Sequence, residues 1–169
     1  MSSNTAEGSM AQRTGDIFSI LNHLIQTCRD GEDGFRMAAE AVKNTQLKSM
    51  FLDYSEQRAK FANELQLKIA RLGGHPKESG SLAAAAHRGW MSLKTTLTGH
   101  DEGAIIAECG RGEDAAMQAY EKALSRNMPS DMRELIQRQR EQVREAHHRV
   151  RALELKVDDS IPSPRPSKQ

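Results

Sequence analysis

Aromatic residues make up only 4% of this chain, and its two cysteines, five prolines and near-balanced charge are equally modest. Each scarcity removes a class of protein. Two cysteines in 169 residues cannot build a disulfide framework. A net charge of +1, with acids and bases interleaved, gives no electrostatic attraction toward nucleic acid or an anionic membrane surface. No stretch approaches the ~18 consecutive apolar residues of a membrane span. The first residues lack the apolar core and basic flank of a secretion signal, so the expected compartment is the cytoplasm. Nor does the sequence contain a phosphate-cradling glycine loop, a Cys-x-x-Cys pair or an arranged Ser/His/Asp set.

What the chain has instead is Ala, Leu, Glu, Gln, Arg and Met, residues that lose little side-chain freedom in a helix. Residues 1–13 are small, polar and non-periodic and read as a disordered arm; residues 158–169, with Pro162, Pro164 and Pro166, read as a disordered tail. Between them, residues 14–157 form one domain. Four long segments carry apolar residues at steps of three and four, the pattern of a bundle seam. The first, about 16–43, carries Ile17, Leu21, Leu24, Cys28, Gly31, Phe35, Ala38 and Val42, with Asp16 as N-cap and an Asn-Thr-Gln turn after Lys43. The second, about 47–72, carries Phe51, Tyr54, Arg58, Phe61, Leu65 and Ile69 and stops at Gly73-Gly74. The third, about 102–126, carries Ile106, Cys109, Glu113, Met117, Tyr120 and Leu124. The fourth, about 130–157, carries Met132, Leu135, Gln139, Val143, Ala146, Val150 and Leu153. At a rise of ~1.5 Å per residue, each helix is roughly 35–40 Å long.

The connections set the topology. Short turns join the first helix to the second and the third to the fourth, making two antiparallel hairpins. A crossover of almost thirty residues joins the hairpins. Its stripe of Leu82, Ala86, Trp90, Leu93 and Leu97, with Ser79 or Ser81 as N-cap, predicts a short extra helix laid on the bundle by the only tryptophan. Two hairpins and one long crossover give an all-α, ferritin-like four-helix bundle.

Within it, Cys28-Arg-Asp-Gly31-Glu32-Asp33 matches Cys109-Gly-Arg-Gly112-Glu113-Asp114 as C-x-x-G-E-D, mid-helix both times, and suggests an internal repeat. Helical geometry puts Glu113 near the centre of its apolar stripe and Glu32 within roughly 50° of its own, with Arg58 and Gln139 central in theirs. Polar groups at a bundle centre need partners. One reading supplies a metal: Glu32, Glu113 and His147 as ligands of iron or another divalent cation, with Cys28 and Cys109 as lesser candidates. A carboxylate-bridged di-metal bundle also needs a Glu-x-x-His on each remaining helix. Here Arg144 stands three before His147, and Arg58 and Phe61 occupy the comparable place on the second helix. The other reading supplies ion pairs and hydrogen bonds: Glu32 with Arg58, and Glu113 with Gln142, His147 or Tyr120, in a network that includes Tyr54 and Gln139. Gly31 and Gly112 favour close helix approach. A third idea makes Cys28 and Cys109 facing sensors of oxidation.

The chain resembles a bacterial ferritin-like four-helix-bundle family whose function is not established. The resemblance runs over residues 17–155. It rests on Asp30-Gly-Glu-Asp-Gly-Phe35, on Glu56-Gln-Arg-Ala-Lys-Phe-Ala62 followed by Glu64-Leu65, and on Gly80-Ser-Leu82 with His87-Arg-Gly-Trp90. Glu108-Cys-Gly-Arg-Gly-Glu-Asp114 and Ala146-His147 complete it. It implies the ferritin-like fold and carries over no activity. Against iron-handling ferritin-like proteins, Glu32 and Glu113 stand in glutamate-ligand places and His147 resembles a histidine ligand, while the remaining ligands are missing. The expectation is a non-enzymatic, self-associating scaffold or stress-associated protein with a buried polar network. The alternative is an iron-binding protein, which as an enzyme would be a metal-dependent oxidoreductase. No nucleic-acid or membrane partner is expected.

Overall fold

A computed structural model describes residues 3–77 and 101–159. Among the described residues all regular structure is helical: α1 (Ser3–Ala41), α2 (Thr45–Arg71), α3 (Glu102–Leu124) and α4 (Ser130–Asp159). None of these helices is long and apolar enough to cross a membrane. The stripes read from the sequence are the faces that pack. Leu21, Leu24, Cys28, Phe35 and Ala38 of α1, Phe51, Phe61, Leu65 and Ile69 of α2, Ile106, Cys109 and Tyr120 of α3, and Met132, Val143 and Val150 of α4 are all buried.

The ends follow local chemistry. Asn44 caps α2, its side-chain oxygen accepting from Gln46 N at 2.9 Å and Leu47 N at 3.2 Å. Thr45 and Gln46, expected in the turn, therefore already belong to the first helical turn. Asp101 caps α3 through Ala104 N at 3.2 Å. Gly73, at φ +78°, takes the left-handed step that ends α2, as the Gly73-Gly74 pair predicts. Arg133 donates to the Leu124 and Arg126 carbonyls at 2.8 Å each, satisfying acceptors just past the last turn of α3 with a cation.

Two boundaries differ from expectation. α1 begins at Ser3, so residues 3–13 are helical rather than a disordered arm, and Asp16 lies inside the helix instead of capping it. Nothing from Ser3 to Asp16 breaks a helix: Ala, Met, Gln and Arg propagate one that is nucleated downstream, and Thr14 Oγ1 donates back to the Met10 carbonyl at 3.0 Å. Residues 8–16 are exposed, so this extension rests on propagation and not on packing. At the other end α4 runs on to Asp159. The predicted crossover helix and the proline-rich stretch after residue 159 lie outside the described residues.

The strongest packing is within hairpins, α1 on α2 and α3 on α4. Between hairpins α1 packs closely on α3, the backbones of α2 and α4 approach at only a few points, and the α2/α3 diagonal is spanned by side chains, Arg58 to Glu113. The apolar interior is divided into two clusters. One gathers Leu21–Cys28 side chains with Phe61, Leu65, Ile69, Tyr120, Met132 and Ile136. The other gathers Phe35, Ala38, Val42, Phe51, Ile106, Cys109 and Val150. The level between them is polar, and there the candidate residues converge.

Candidate functional site at the bundle centre

Arg58 and Glu113 meet at that level, 1% and 2% exposed. One guanidinium nitrogen, Nη2, donates to both Glu113 oxygens, at 2.8 Å and 2.7 Å, and Nη1 donates to Gln57 Oε1 at 2.6 Å. The guanidinium carbon also lies over two rings, 5.8 Å from the Phe35 centroid and 5.7 Å from that of Phe61, so its charge meets π-density as well as oxygen. Gly31 makes room: a β-carbon there would come within 3.2 Å of Arg58 Cγ. Arg58 Nε is buried without a hydrogen-bond partner. Burial pushes the Glu113 carboxyl above its ordinary range, with Arg58 as the main opposing influence.

This geometry corrects the expected pairings. Arg58 pairs with Glu113 of the other hairpin and not with Glu32. Glu32 remains a quarter exposed and takes Arg29 Nη1 at 2.8 Å, one turn away on the same helix. Its own carbonyl accepts from Ser55 Oγ at 2.8 Å. Glu32 is level with Arg58 along the bundle but lies to one side of its stripe, whereas Glu113 lies at the centre of its own. Only the latter points at the guanidinium. Nor do Gln142, His147 or Tyr120 hold Glu113. Gln142 meets Gln57 at 3.5 Å. His147 Nε2 donates to Asp114 Oδ1 at 2.7 Å, and Arg151 pairs with the other Asp114 oxygen, so this set forms the outer α3/α4 seam.

A second buried chain runs below the pair. Tyr120 Oη lies 3.2 Å from Cys28 Sγ and donates to Gln139 Oε1 at 2.9 Å. The Gln139 amide donates to Glu64 Oε2 at 2.8 Å and the Phe61 carbonyl at 3.3 Å. Gln139, in the fourth helix's stripe, is thereby satisfied at both ends. Tyr54 is half-buried, its ring tilted against Phe35 with centroids 5.2 Å apart, and burial raises its hydroxyl pKa against the opposing influence of Arg149. Cys28 and Cys109 are both buried free thiols, in different clusters. Burial raises the Cys28 thiol to about 11 and that of Cys109 further in the same direction.

A metal ion at this level needs several oxygen, nitrogen or sulfur donors turned inward together. Among the described residues no three His, Cys, Asp or Glu side chains are grouped to hold one. Glu113 already accepts two hydrogen bonds from a fixed cation, Glu32 turns to Arg29 and His147 to Asp114. These residues do not fit a carboxylate-bridged metal centre. The partners that sequence reasoning missed are Gln57, Glu64 and Asp114, all on helix flanks. All three stand within the quoted motifs, but none lies on an apolar stripe, so periodicity gave no reason to turn them inward.

Solved structures share the fold. The chain is similar to a two-domain protein from Anabaena variabilis that contains DJ-1/ThiJ/PfpI-like and ferritin-like domains. That match has 13% identity and a TM-score of 0.70, covers 92% of this chain and spans 41% of that one. It is also similar to a Mycobacterium smegmatis Dps1 variant carrying a phenylalanine-to-glutamate change, at 16% identity and a TM-score of 0.69, over 85% of this chain and 97% of that one. No curated protein matches in sequence. A family model described as Domain of unknown function (DUF2383) matches residues 16–126, spanning α1, α2, the crossover and α3. The all-α, ferritin-like bundle of two hairpins described above is thus the fold of a member of the DUF2383 family, to which this chain belongs.

Proposed function

We propose that this protein is a non-enzymatic helical scaffold that self-associates and acts through its outer surfaces. The observation that carries the reading is the Arg58–Glu113 pair. In a ferritin-like bundle the central level is where chemistry is built from inward-facing ligands. Here a guanidinium that cannot lose its proton occupies that level, bound to the most central carboxylate. A second cation beside it would meet repulsion in a medium of low dielectric. Tyr120, Gln139 and Glu64 hydrogen-bond to one another, and burial raises the pKa of both thiols, so neither is a ready nucleophile.

The test is thermal denaturation of the chelator-treated protein with and without Fe(II), Mn(II) or Zn(II). A ligand that binds only the folded state raises its stability, so a scaffold of this kind melts at one temperature throughout. A metal-dependent rise that disappears in Glu113→Ala would overturn the reading in favour of an iron-type centre. Light scattering on the same samples addresses self-association: a mass above that of one chain is expected, and a monomer at all concentrations removes that part.

A further inference from the structure

The packing of α1 on α3 is the closest between the hairpins, and its outer side carries a groove made of three adjoining hollows of about 420, 250 and 480 Å³. The first and second share His23 and Ala119, and the second and third share Asp16, Ile20 and Arg126. The groove therefore follows α1 from Phe35 back to Arg13, roughly 33 Å at ~1.5 Å per residue. Its walls are low. Gly31, Gly34, Gly112, Ala115 and Ala119 line the first hollow, and a β-carbon on Gly112 would meet no atom within 4 Å.

Charge is divided along this groove. No lysine or arginine lines the first hollow, whose rim carries the carboxylates of Asp30 and Glu108. Asp30 is half-buried and takes its hydrogen bond, at 2.7 Å, from the neutral Gln26. Glu108 pairs with Arg111 on its own helix, and Glu113, deeper in the same hollow, is committed to Arg58. The other two hollows are lined by Arg13, Lys122 and Arg126, with Asp16 as their only acid. Those three cations are exposed and, among the described residues, form no ion pair. One end of the groove is thus acidic and the other basic. His23, also exposed, stands where the two meet.

We propose that a second copy of this chain seats on the α1/α3 groove, with the two-fold axis crossing the groove at the level of His23. The inference rests on the self-association proposed above and names the surface responsible. In a two-fold contact the same patch serves both copies, so the patch has to be complementary to itself. An axis running along the helices would set acidic end on acidic end and basic on basic. An axis running across them sets the basic end of each copy on the acidic end of the other. Like-charge repulsion disfavours the first arrangement and attraction selects the second, the three cations outweighing Asp16. The glycine and alanine walls let helices of the two copies approach closely. An unrelated partner would have to supply the reverse distribution of charge; this chain already carries it.

Sedimentation velocity of the full-length protein over a range of concentrations measures the association, with circular dichroism to confirm helix content. Arg126→Glu and Asp30→Lys each set like charge against like, twice in every dimer. Each should raise the dimer dissociation constant at least about tenfold. The Asp30→Lys/Arg126→Glu double variant reverses both ends together and should recover the wild-type constant to within about threefold. Recovery is diagnostic, because a change that only damages the fold is not cured by a second one. His23→Cys gives an independent reading. A residue near the axis meets its own counterpart, so mild oxidation should link two native chains, whereas wild type, with both thiols buried, should stay unlinked. A dimer that ignores both single changes overturns the proposal and leaves self-association standing. So does a double variant no better than the singles, or a His23→Cys protein that does not cross-link. A wild-type monomer at every concentration overturns both.

Discussion

Replacing the two members of the central pair, singly and together, separates its two opposing contributions. Arg58→Met keeps most of the volume between the Phe35 and Phe61 rings, and Glu113→Leu does the same on α3. With both residues at most 2% exposed, each single change strands a buried polar partner. Breaking such a pair costs about 3–5 kcal/mol, whereas replacing both partners with apolar groups of similar volume is close to neutral or stabilising. For a chain of this size about 2–4 °C accompanies each kcal/mol, so each single variant should melt roughly 6–20 °C below wild type. The double variant should melt near it. The singles should also differ from each other. Without Arg58, Glu113 can escape its predicament by taking a proton, since burial already raises its pKa. Without Glu113, Arg58 has no such exit, because a guanidinium keeps its charge. Glu113→Leu is therefore the more damaging single change. Urea denaturation followed by far-UV circular dichroism measures all four proteins, and the double-mutant cycle gives the coupling. If the double variant loses the sum of the two single losses, the residues act independently and the account of the bundle centre is wrong.

Three further outcomes follow from the same geometry. Burial holds the folded-state pKa of Glu113 above its ordinary value of 4.5. A raised acid contributes stability that is fully present below the unfolded value and lost as pH rises through the folded one. Wild type should thus lose stability relative to Glu113→Gln as pH climbs from about 4.5 toward neutrality; a difference that moves the other way would mean that Arg58, not burial, dominates. Tyr120→Phe removes the donor to Gln139 Oε1 inside the core, and should cost about 1–3 kcal/mol in urea unfolding with secondary structure intact; an unchanged midpoint would show that the Gln139 oxygen finds another donor. Both buried thiols should resist a disulfide reagent in the native protein at mildly alkaline pH and react promptly in denaturant, and prompt native reaction would revive the oxidation-sensing idea.

Most of the fold was legible because the bundle's information is local. Steps of three and four identify the buried face of each helix, and short turns identify the hairpins. Cys28, Arg58, Glu113, Gln139 and Tyr120 all stand where periodicity placed them, in the interior. Partner choice was not legible, because periodicity gives a residue's height along the bundle and its angle on its own helix, and leaves the separation between hairpins free. Glu32 and Glu113 stand at similar heights, so the choice between them turns on an azimuth of a few tens of degrees. The start of α1 is illegible for a different reason. Residues 3–13 carry no apolar stripe, and a helix that extends beyond its packed length leaves no periodicity to mark it.

The central level is asymmetric in a way the sequence itself suggests. Arg58 follows Glu32 by as many residues as Gln139 follows Glu113, so the two C-x-x-G-E-D segments are matched by an arginine in one hairpin and a glutamine in the other. Had both positions been arginine, two guanidinium groups would have shared a narrow interior with one centrally placed carboxylate. The unpaired charge would have faced the desolvation penalty of several kcal/mol that buried ions carry. Glutamine is neutral and has a donor and an acceptor on one planar group, which lets it bridge Tyr120 to Glu64 and the Phe61 carbonyl without adding charge. Glu32 can then stay at the half-exposed edge with Arg29, and Glu113 alone needs the buried cation. One charged pair crossing between the hairpins also has a use in specificity. The hairpin-to-hairpin contacts are fewer than those within each hairpin, and a single buried ion pair is satisfied only when the hairpins meet in the register that joins Arg58 to Glu113. On that argument the Arg58–Met, Glu113–Leu double variant should keep its stability and lose some uniqueness of packing. Its amide exchange should become faster at the centre of the bundle than in wild type at equal overall stability, and equal protection there would refute the assignment of registry to the pair.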